Sequence, residues 1–321
     1  MRIQGHIKKE VEQLRLLINY FNQQYYVHDD PQTSDEKFDT LMRELETLEA
    51  EHPYLVTPYS PTQRVGGVPA IKFKKIERET PMLSLGAMRS KAEALEFDKR
   101  VRKATDSNEV EYAVELKIDG LAVELEYHHG FFVRGSTRGN GLVGEDITAN
   151  LKTLGAVPLT LDKIEDVVGH IPKRLTVRGE VFMHKADLKK LNKERKKNKE
   201  KPYPDTRTAA SASLRRLDHR ITAKRKLDVF FYSIVPTEDV SPLTQISSTE
   251  MLQELGFKVN PHTMAGYGMD WARQTVKEMR SLRKKLTYDA DGVVVKVNST
   301  HDQEKLGNSA KYPNWAVAVK F

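Results

Sequence analysis

Apolar residues recur at helical spacing in residues 3–26 and again between Asp30-Pro31 and His52-Pro53. Thr33 and Glu36 have the spacing of a capping box, which favours a second helix start at this point. The pattern predicts a helical hairpin that is too small for a rich core of its own. The apolar positions are Ile7, Val11, Leu14, Leu17, Ile18, Phe21, Tyr25, Phe38, Leu41, Met42, Leu45 and Leu48.

Alternation of apolar and polar residues takes over in residues 111–144 and predicts strands. One strand runs into Lys117-Ile118-Asp119-Gly120, and a second occupies residues 121–127. His128-His129-Gly130 is typical of a hairpin turn, and a glycine-rich turn follows Thr137. Further strands are predicted near residues 175–183, 227–235, 291–297 and 315–321, with helices near 90–101, 251–255 and 271–283.

The segment from Pro53 to Pro69 is the best candidate for a domain boundary. It holds four prolines and the pair Gly66-Gly67, which favour turns and extended connections. We therefore predict a helical subdomain over residues 1–68 and a larger domain over residues 69–321.

Composition limits the class of protein before any motif is considered. The 321 residues are 39% hydrophobic and 30% charged, as in an ordinary globular chain, and no apolar run is long enough for a membrane span. The N-terminus lacks the apolar stretch of a secretory signal. No cysteine is present, which excludes disulfides, zinc–thiolate sites and a thiol nucleophile and fits a cytoplasmic protein. A monomer is the default expectation.

The charge balance favours a polyanionic partner without establishing one. The net charge is +7, with 52 basic and 45 acidic residues. Eight basic residues fall within Lys189–Lys201. Such a run is most often a solvated helix face, and phosphate contact with a nucleic acid is the alternative.

Lys117 is the candidate nucleophile, because it ends a strand beside an aspartate and a glycine. A neutral lysine amine can attack phosphorus and form a covalent nucleotidyl-enzyme, and burial or nearby cations favour the neutral form. A surface lysine in a hairpin is the alternative. Lys296 and Lys320 occupy otherwise apolar strands, where a lysine is unfavourable unless it meets an anion. With Arg138, these residues suggest four cations that converge on phosphate.

Glu180 stands in the middle of a predicted strand, next to a glycine. It is either exposed on an edge or placed to accept hydrogen bonds. Polar and aromatic residues also gather at the bend of the helical hairpin. Helix caps and core packing explain most of these, and a ligand site is the alternative; they are Tyr25, Tyr26, Asp35, Phe38 and Asp39.

The order of these motifs resembles the adenylation portion of bacterial NAD-dependent DNA ligases over essentially the whole chain. The matching segments are Lys117–Gly120, Ser136–Gly139, Arg178–Glu180, Phe230–Tyr232, Asp291–Lys296 and Trp315–Lys320, with Ser60–Gly66 and Pro81–Leu85 as further matches. The hairpin residues Tyr25, Tyr26, Asp29, Pro31, Asp35 and Asp39 resemble the helical subdomain that is particular to the NAD-dependent branch. Lys-x-Asp-Gly alone is shared with ATP-dependent ligases and mRNA capping enzymes.

The resemblance implies an α+β protein, with a nucleotidyltransferase fold of antiparallel sheets and flanking helices after a small helical subdomain, and with AMP between the sheets. It implies that Lys117 attacks the α-phosphorus of NAD and releases nicotinamide mononucleotide. The catalytic set would be Lys117, Asp119, Arg138, Lys296 and Lys320. The residues that bind the adenylate half would be Ser84, Leu85, Glu115, Leu116, Glu180 and Tyr232. The nicotinamide half would meet Tyr25, Tyr26, Asp35, Phe38 and Asp39.

The resemblance also implies a magnesium ion, for which Asp119 and Asp291 are nearby carboxylates without an assigned ligand shell. Nicked double-stranded DNA would be the partner of the full-length enzyme. The candidate DNA- or phosphate-contacting arginines are Arg207, Arg215 and Arg283. Because the chain stops at Lys320-Phe321 without a tail, we expect a longer protein that contains the modules needed to seal a nick.

Several positions depart from the common pattern of the family. Phe38 stands where tyrosine is usual, Asn140 where aspartate is usual and Ala87 where asparagine is usual, and the Asp205–Ala212 segment differs around a retained Arg207. One missing hydroxyl contact weakens binding by ~0.5–1.5 kcal/mol, so we expect activity with a raised requirement for NAD. The alternatives are an ATP-dependent nucleotidyltransferase of the same superfamily and a non-catalytic nucleic-acid-binding paralogue.

Overall fold

The computed structural model describes residues 2–65 and 68–321, with side chains from residue 5 onward. Gly66 and Gly67 of the predicted boundary lie outside the described residues. The α-helices are α1 (Arg2–Tyr26), α2 (Asp35–Glu51), α3 (Lys91–Thr105), α4 (Thr148–Lys152), α5 (Ile164–Val168), α6 (Lys185–Lys197), α7 (Thr206–Leu214), α8 (His219–Ala223), α9 (Gln245–Glu254), α10 (Met269–Leu282) and α11 (Thr300–Leu306).

The strands fall into three sheets among the described residues. They are β1 (Lys75–Glu77), β2 (Gly86–Ala87), β3 (Glu111–Ile118), β4 (Leu121–His128), β5 (Phe131–Thr137), β6 (Val143–Glu145), β7 (Arg174–Met183), β8 (Leu227–Val235), β9 (Met264–Tyr267), β10 (Ala290–Val297) and β11 (Ala316–Lys320). One sheet has the order β2-β11-β10-β3-β9, a second has the order β5-β4-β7-β8, and β1 pairs with β6. All named strand pairs are antiparallel except β11 with β2.

The α1–α2 hairpin forms where the periodicity predicted it. Its small core contains Val11, Leu14, Ile18 and Leu45, with Phe38 packed against them. The predicted cap at Thr33 is wrong, because Ser34 caps α2 and its hydroxyl accepts from the Lys37 amide at 3.3 Å. The helix begins one residue later than the Thr33–Glu36 spacing suggested.

Two separate cores hold the large domain together, one on the outer face of each main sheet. On β3, Tyr112, Val114 and Leu116 belong to the core that α3 and α10 cover. On β4, the residues Val123, Leu125 and Tyr127 belong to the other core. Because side chains alternate along a strand, the intervening residues face inward from both sheets, and the inner faces enclose the space where the candidate site lies.

Arg64 and Tyr26 attach the hairpin and its linker to the outer side of the four-stranded sheet. The buried guanidinium of Arg64 donates to the carbonyls of Lys152, Leu154 and Val157, each at 3.1 Å. Burial lowers the pKa of Arg64 to about 10. The Tyr26 ring lies so close to Gly155 that any Cβ at that position would overlap it.

Candidate active site

A cavity of about 1100 Å³ lies between the two main sheets. On the five-stranded sheet, the register defines three rows of residues across β3, β10 and β11, and all of them except Ala113 and Gly292 line one wall. The rows are Lys117, Gly292 and Lys320; Glu115, Val294 and Ala318; and Ala113, Lys296 and Ala316. The small residues leave open space between the charged ones, which suits a flat, polyanionic ligand.

The amine of Lys117 is held by a carboxylate in this cavity. Its Nζ lies 2.7 and 3.0 Å from the two carboxylate oxygens of Asp291. The pairing of β10 with β3 skips Asp291, so this residue forms a β-bulge. A bulge changes the direction of a side chain, and here it brings the carboxylate to the lysine on the neighbouring strand.

Lys296 is the deepest cation of the site. It is buried, its Nζ lies 2.8 Å from Glu115 Oε1, and it donates to Gln245 Oε1 at 3.1 Å. Lys296 and Glu115 are diagonal neighbours on adjacent strands, a relation that brings long side chains together. The Lys296 ammonium lies 5.4 Å from the centre of the Tyr232 ring.

Arg138 and Lys320 also line the cavity. Unlike Lys117 and Lys296, neither forms an ion pair with a carboxylate in the part of the chain that the structure describes. The four cations that the sequence predicted to converge do line one cavity. Two of them are neutralised by protein carboxylates, and the other two retain their charge for a ligand.

Glu180 and Tyr232 come from the opposite sheet. Glu180 lies in β7, an internal strand, so the expectation of an exposed sheet edge is wrong. Burial raises the pKa of Glu180 to about 7, while Lys117, Arg207 and Arg138 oppose the shift. Tyr232 is the extra residue of a second β-bulge, between β7 and β8. Burial, followed by the nearby Glu180 carboxylate, raises the pKa of Tyr232.

Two arginines and one glutamate fix the loops that frame the cavity, and the sequence analysis missed all three roles. Arg78 Nε lies 3.0 Å from one Glu124 oxygen and Arg178 Nε lies 2.8 Å from the other. Arg78 also donates to the Arg138 carbonyl at 2.9 Å, and Arg178 donates to the Thr80 carbonyl at 2.6 Å. Glu124 on the polar face of β4 could have predicted these partners, because an inward-facing carboxylate requires a nearby cation.

The remaining predicted nucleotide-binding and catalytic residues divide into two groups. Ser84, Leu85 and Leu116 line the cavity. Asp119 is not among the residues that line it, and its carboxylate lies 3.1 Å from Arg207. The catalytic role of Asp119 therefore stays a prediction.

The three arginines predicted to contact nucleic acid are separated in the structure. Arg207 and Arg215 line the cavity, and the Nε of Arg215 lies 2.6 Å from a Glu145 oxygen. Arg283 lies outside the cavity lining, with its guanidinium 5.5 Å from the centre of the Phe321 ring.

The residues predicted to meet the nicotinamide half of NAD lie apart from the cavity. None of Tyr25, Tyr26, Asp35, Phe38 and Asp39 contributes to its lining. Tyr25 and Tyr26 pack edge to face with ring centres 4.8 Å apart, and both are exposed. The structure thus brings the residues predicted to bind adenylate together at the cavity, whereas the hairpin residues predicted to bind nicotinamide lie outside its lining.

A metal ion at this site would need coordinating atoms from the substrate in addition to those of the protein. Within residues 2–65 and 68–321, no group of three or more His, Asp or Glu side chains could hold a metal ion. Magnesium is usually bound by one or two carboxylates together with substrate phosphates. Asp291 lines the cavity and fits that smaller requirement.

A lysine between two sheets, beside a carboxylate and further cations, is the arrangement expected of a covalent nucleotidyltransferase. Two family models match the chain. The first, "NAD-dependent DNA ligase adenylation domain", matches residues 70–321, and the second, "DNA ligase-like, N-terminal NAD+-binding domain", matches residues 4–66. The chain therefore belongs to the family of NAD-dependent DNA ligase adenylation domains.

Curated relatives and solved structures are similar to this chain to different degrees. Proteins named "DNA ligase" from Bacillus licheniformis and Thermoanaerobacter sp. are 46% and 48% identical over 314 residues, which are 98% of this chain and 46% of each relative. The chain thus spans about half the length of these curated relatives. A solved mycobacterial DNA ligase D is 16% identical with a TM-score of 0.36, and the alignment covers 65% of this chain and 54% of that chain.

No helix among the described residues is both long and apolar enough to cross a membrane.

Proposed function

We propose that this chain transfers AMP from NAD to Lys117 and releases nicotinamide mononucleotide. The arrangement of Lys117 beside Asp291, in a cavity that Arg138 and Lys320 also line, is the observation that supports this step. In the longer protein, the AMP then passes to the 5′-phosphate of a DNA nick, and nicked double-stranded DNA is the partner.

The attack requires Lys117 to lose a proton. Asp291 is the carboxylate within hydrogen-bond distance of its amine, so we assign Asp291 the role of proton acceptor. The amine nitrogen then bonds to the α-phosphorus, and the phosphorus–oxygen bond to nicotinamide mononucleotide breaks. The result is a phosphoramidate between Lys117 and AMP.

Arg138, Lys320 and Lys296 stabilise the negative charge that develops on the phosphate oxygens. Fixed cations in a water-poor site are effective in this role because little reorganisation is needed during the reaction. Arg138 and Lys320 form no ion pair within the described residues, so phosphate binding breaks no existing ion pair of theirs. Lys296 is held by Glu115 and Gln245, which fixes its position before the ligand arrives.

The adenosine half of NAD fits the groups on the inner sheet faces. Tyr232 offers a ring for stacking, Glu115 and the Leu116 backbone offer polar atoms for the adenine edge, and Glu180 accepts from the ribose hydroxyls. Ser84 and Leu85 form the adjoining wall. Magnesium, bound mainly through the substrate phosphates, would supply a further positive charge at the reacting phosphate.

The nicotinamide half is assigned to Tyr25, Tyr26, Asp35, Phe38 and Asp39 of the hairpin. Because these residues lie outside the cavity lining, simultaneous contact with both halves of NAD requires the hairpin to approach the cavity. Arg207, Arg215 and Arg283 are assigned to the nucleic acid. Arg207 and Arg215 line the cavity, which supports a role for them at the phosphate end of a nick.

Intact-mass measurement tests the proposed reaction. The chain is incubated with magnesium and either NAD or ATP, beside Lys117→Ala and the exposed-lysine control Lys189→Ala. We expect a gain of one AMP with NAD alone, in the unaltered chain and in Lys189→Ala but not in Lys117→Ala. A gain with ATP alone would identify a triphosphate-dependent enzyme, and no gain with either would favour a non-catalytic paralogue.

A further inference from the structure

Helix α6 presents a lysine face that the proposed chemistry does not use. Lys189, Lys193, Lys196 and Lys197 are exposed, and none forms an ion pair with the residues that the structure describes. At 3.6 residues per turn, these four side chains fall within an arc of roughly 100°. The acidic residues of the helix, Asp187 and Glu194, lie outside that arc.

The opposite side of α6 fixes the orientation of the lysine face. Leu191 is buried, and Leu188 packs with it against Ala209 and Ala210 of α7. Leu191 lies roughly 170° and Leu188 roughly 130° from the centre of the lysine arc. The lysines therefore point away from the protein, and packing prevents the helix from turning them elsewhere.

The spacing of these lysines is unfavourable for the helix alone. Lys193 has Lys189 and Lys197 four residues away and Lys196 three residues away, and each such like-charge pair destabilises a helix by ~0.2–0.5 kcal/mol. Helix α3 shows the more usual mixture, since Glu96 lies among the exposed Lys99 and Lys103. The α6 arrangement thus fits a face that meets a polyanion.

We propose that the α6 lysine face binds the phosphate backbone of double-stranded DNA, an inference that rests on the proposed ligase function. The start of α6 lies near the active site, because Lys185 Nζ is 3.5 Å from Asp289, whose carbonyl accepts from the Asp119 amide. Helix α7 beneath it contributes Arg207 to the cavity lining. From Lys185 to Lys197 the helix spans ~18 Å, long enough to follow several phosphates of one strand.

The salt dependence of DNA binding tests this contact. The triple variant Lys189→Gln, Lys193→Gln, Lys196→Gln is compared with Lys91→Gln, Lys99→Gln, Lys103→Gln on α3, which removes the same charge. Dissociation constants for fluorescent intact and nicked duplexes are measured over a series of salt concentrations. Each lost phosphate contact lowers the slope of log K against log salt by ~0.9, so we expect a reduction of up to ~2.7 in the α6 variant and little change in the control.

Transfer of AMP from NAD to Lys117, measured without DNA, should be the same in both variants and in the unaltered chain. Equal slopes for the two variants would overturn the proposal, as would an effect confined to the nicked duplex or an unaltered chain that does not bind DNA at low ionic strength. If the unaltered chain takes up no AMP but the slopes differ as expected, the proposed reaction is refuted while the duplex contact is supported.

Discussion

The cavity and the hairpin bend contain the two groups of residues that the family motifs predicted, yet they are built differently. In the cavity, two facing sheets hold charged side chains in register, and Lys117, Glu115 and Lys296 each have a partner within 3 Å. At the bend, Tyr25 and Tyr26 are exposed, and none of the five predicted residues lines the cavity. Under the proposed function, the comparison indicates that the half of the site proposed to bind adenylate is preorganised, whereas the half proposed to bind nicotinamide depends on where the hairpin lies.

Replacing Arg138 by alanine should have the largest effect. Arg138 lines the cavity and forms no ion pair among the described residues, so the change removes a cation that is free to contact the phosphate. We expect the rate of Lys117 adenylylation to fall by ~10²–10³-fold, as for the loss of one transition-state donor. Single-turnover measurement at saturating NAD gives that rate. Arg134→Ala is the control, since Arg134 lies in β5 just before Arg138 and, among the described residues, pairs with Glu126 at the surface. A normal rate in Arg138→Ala would contradict the preorganised cavity.

Replacing Glu124 by glutamine should destabilise the walls of the cavity. The change leaves the nearly buried Arg78 and its neighbour Arg178 without their shared carboxylate. Removing one partner of a buried ion pair typically costs ~3–5 kcal/mol, so we expect a loss of about 3 kcal/mol in the free energy of unfolding. Urea denaturation measures it. Glu126→Gln, on the same face of β4, should cost less than ~1 kcal/mol because its partner Arg134 is half-exposed.

Replacing Glu180 by glutamine should change the pH dependence of stability. The folded-state pKa of about 7 lies above the ordinary value of 4.5, so the folded protein binds the proton more tightly than the unfolded chain. The stabilising effect of that proton is present below pH 4.5 and is lost as the pH rises to 7. Thermal unfolding of Glu180→Gln should lack this decline and show a gain of up to ~3 kcal/mol above pH 7. Parallel pH profiles for both proteins would argue against a perturbed Glu180.

Replacing Phe38 by tyrosine should have the smallest effect and should act on the hairpin half alone. The change restores a hydroxyl worth ~0.5–1.5 kcal/mol, so the NAD concentration at half-maximal rate should fall by up to about tenfold. The rate at saturating NAD should stay the same, because the cavity residues are unaltered. Phe21→Tyr in the same hairpin is the control. A change in the rate at saturating NAD would show that the hairpin residues also affect the reaction in the cavity.

The alternation of residues along β10 and β11 was sufficient to predict which side chains of these strands face away from the apolar core. Ala316, Ala318 and Lys320 share one face as the period-2 pattern required, and Lys296 faces away from the apolar core. The rows across β3, β10 and β11 could not be predicted, because a strand pattern contains no information about register between distant strands.

The two β-bulges are a second feature that the sequence did not reveal. Asp291 and Tyr232 each occupy the extra position of a bulge, and both line the cavity as a consequence. Gly292 follows Asp291 directly and was a possible sign of the first bulge, whereas β8 contains no glycine that would indicate the bulge at Tyr232. The predicted cap at Thr33 failed for a different reason, since serine and threonine were adjacent and either could cap the helix.

The anchoring of Arg64 has a consequence for how tightly NAD can bind. If contact with the nicotinamide half requires the hairpin to leave its present position, the apparent dissociation constant equals the intrinsic one divided by the fraction of molecules in the competent arrangement. Three hydrogen bonds from one guanidinium reduce that fraction. Under the proposed function, the Arg64 contacts therefore oppose NAD binding. A weaker Arg64 anchor should raise the affinity for NAD, although Arg64 is not among the residues proposed to bind NAD.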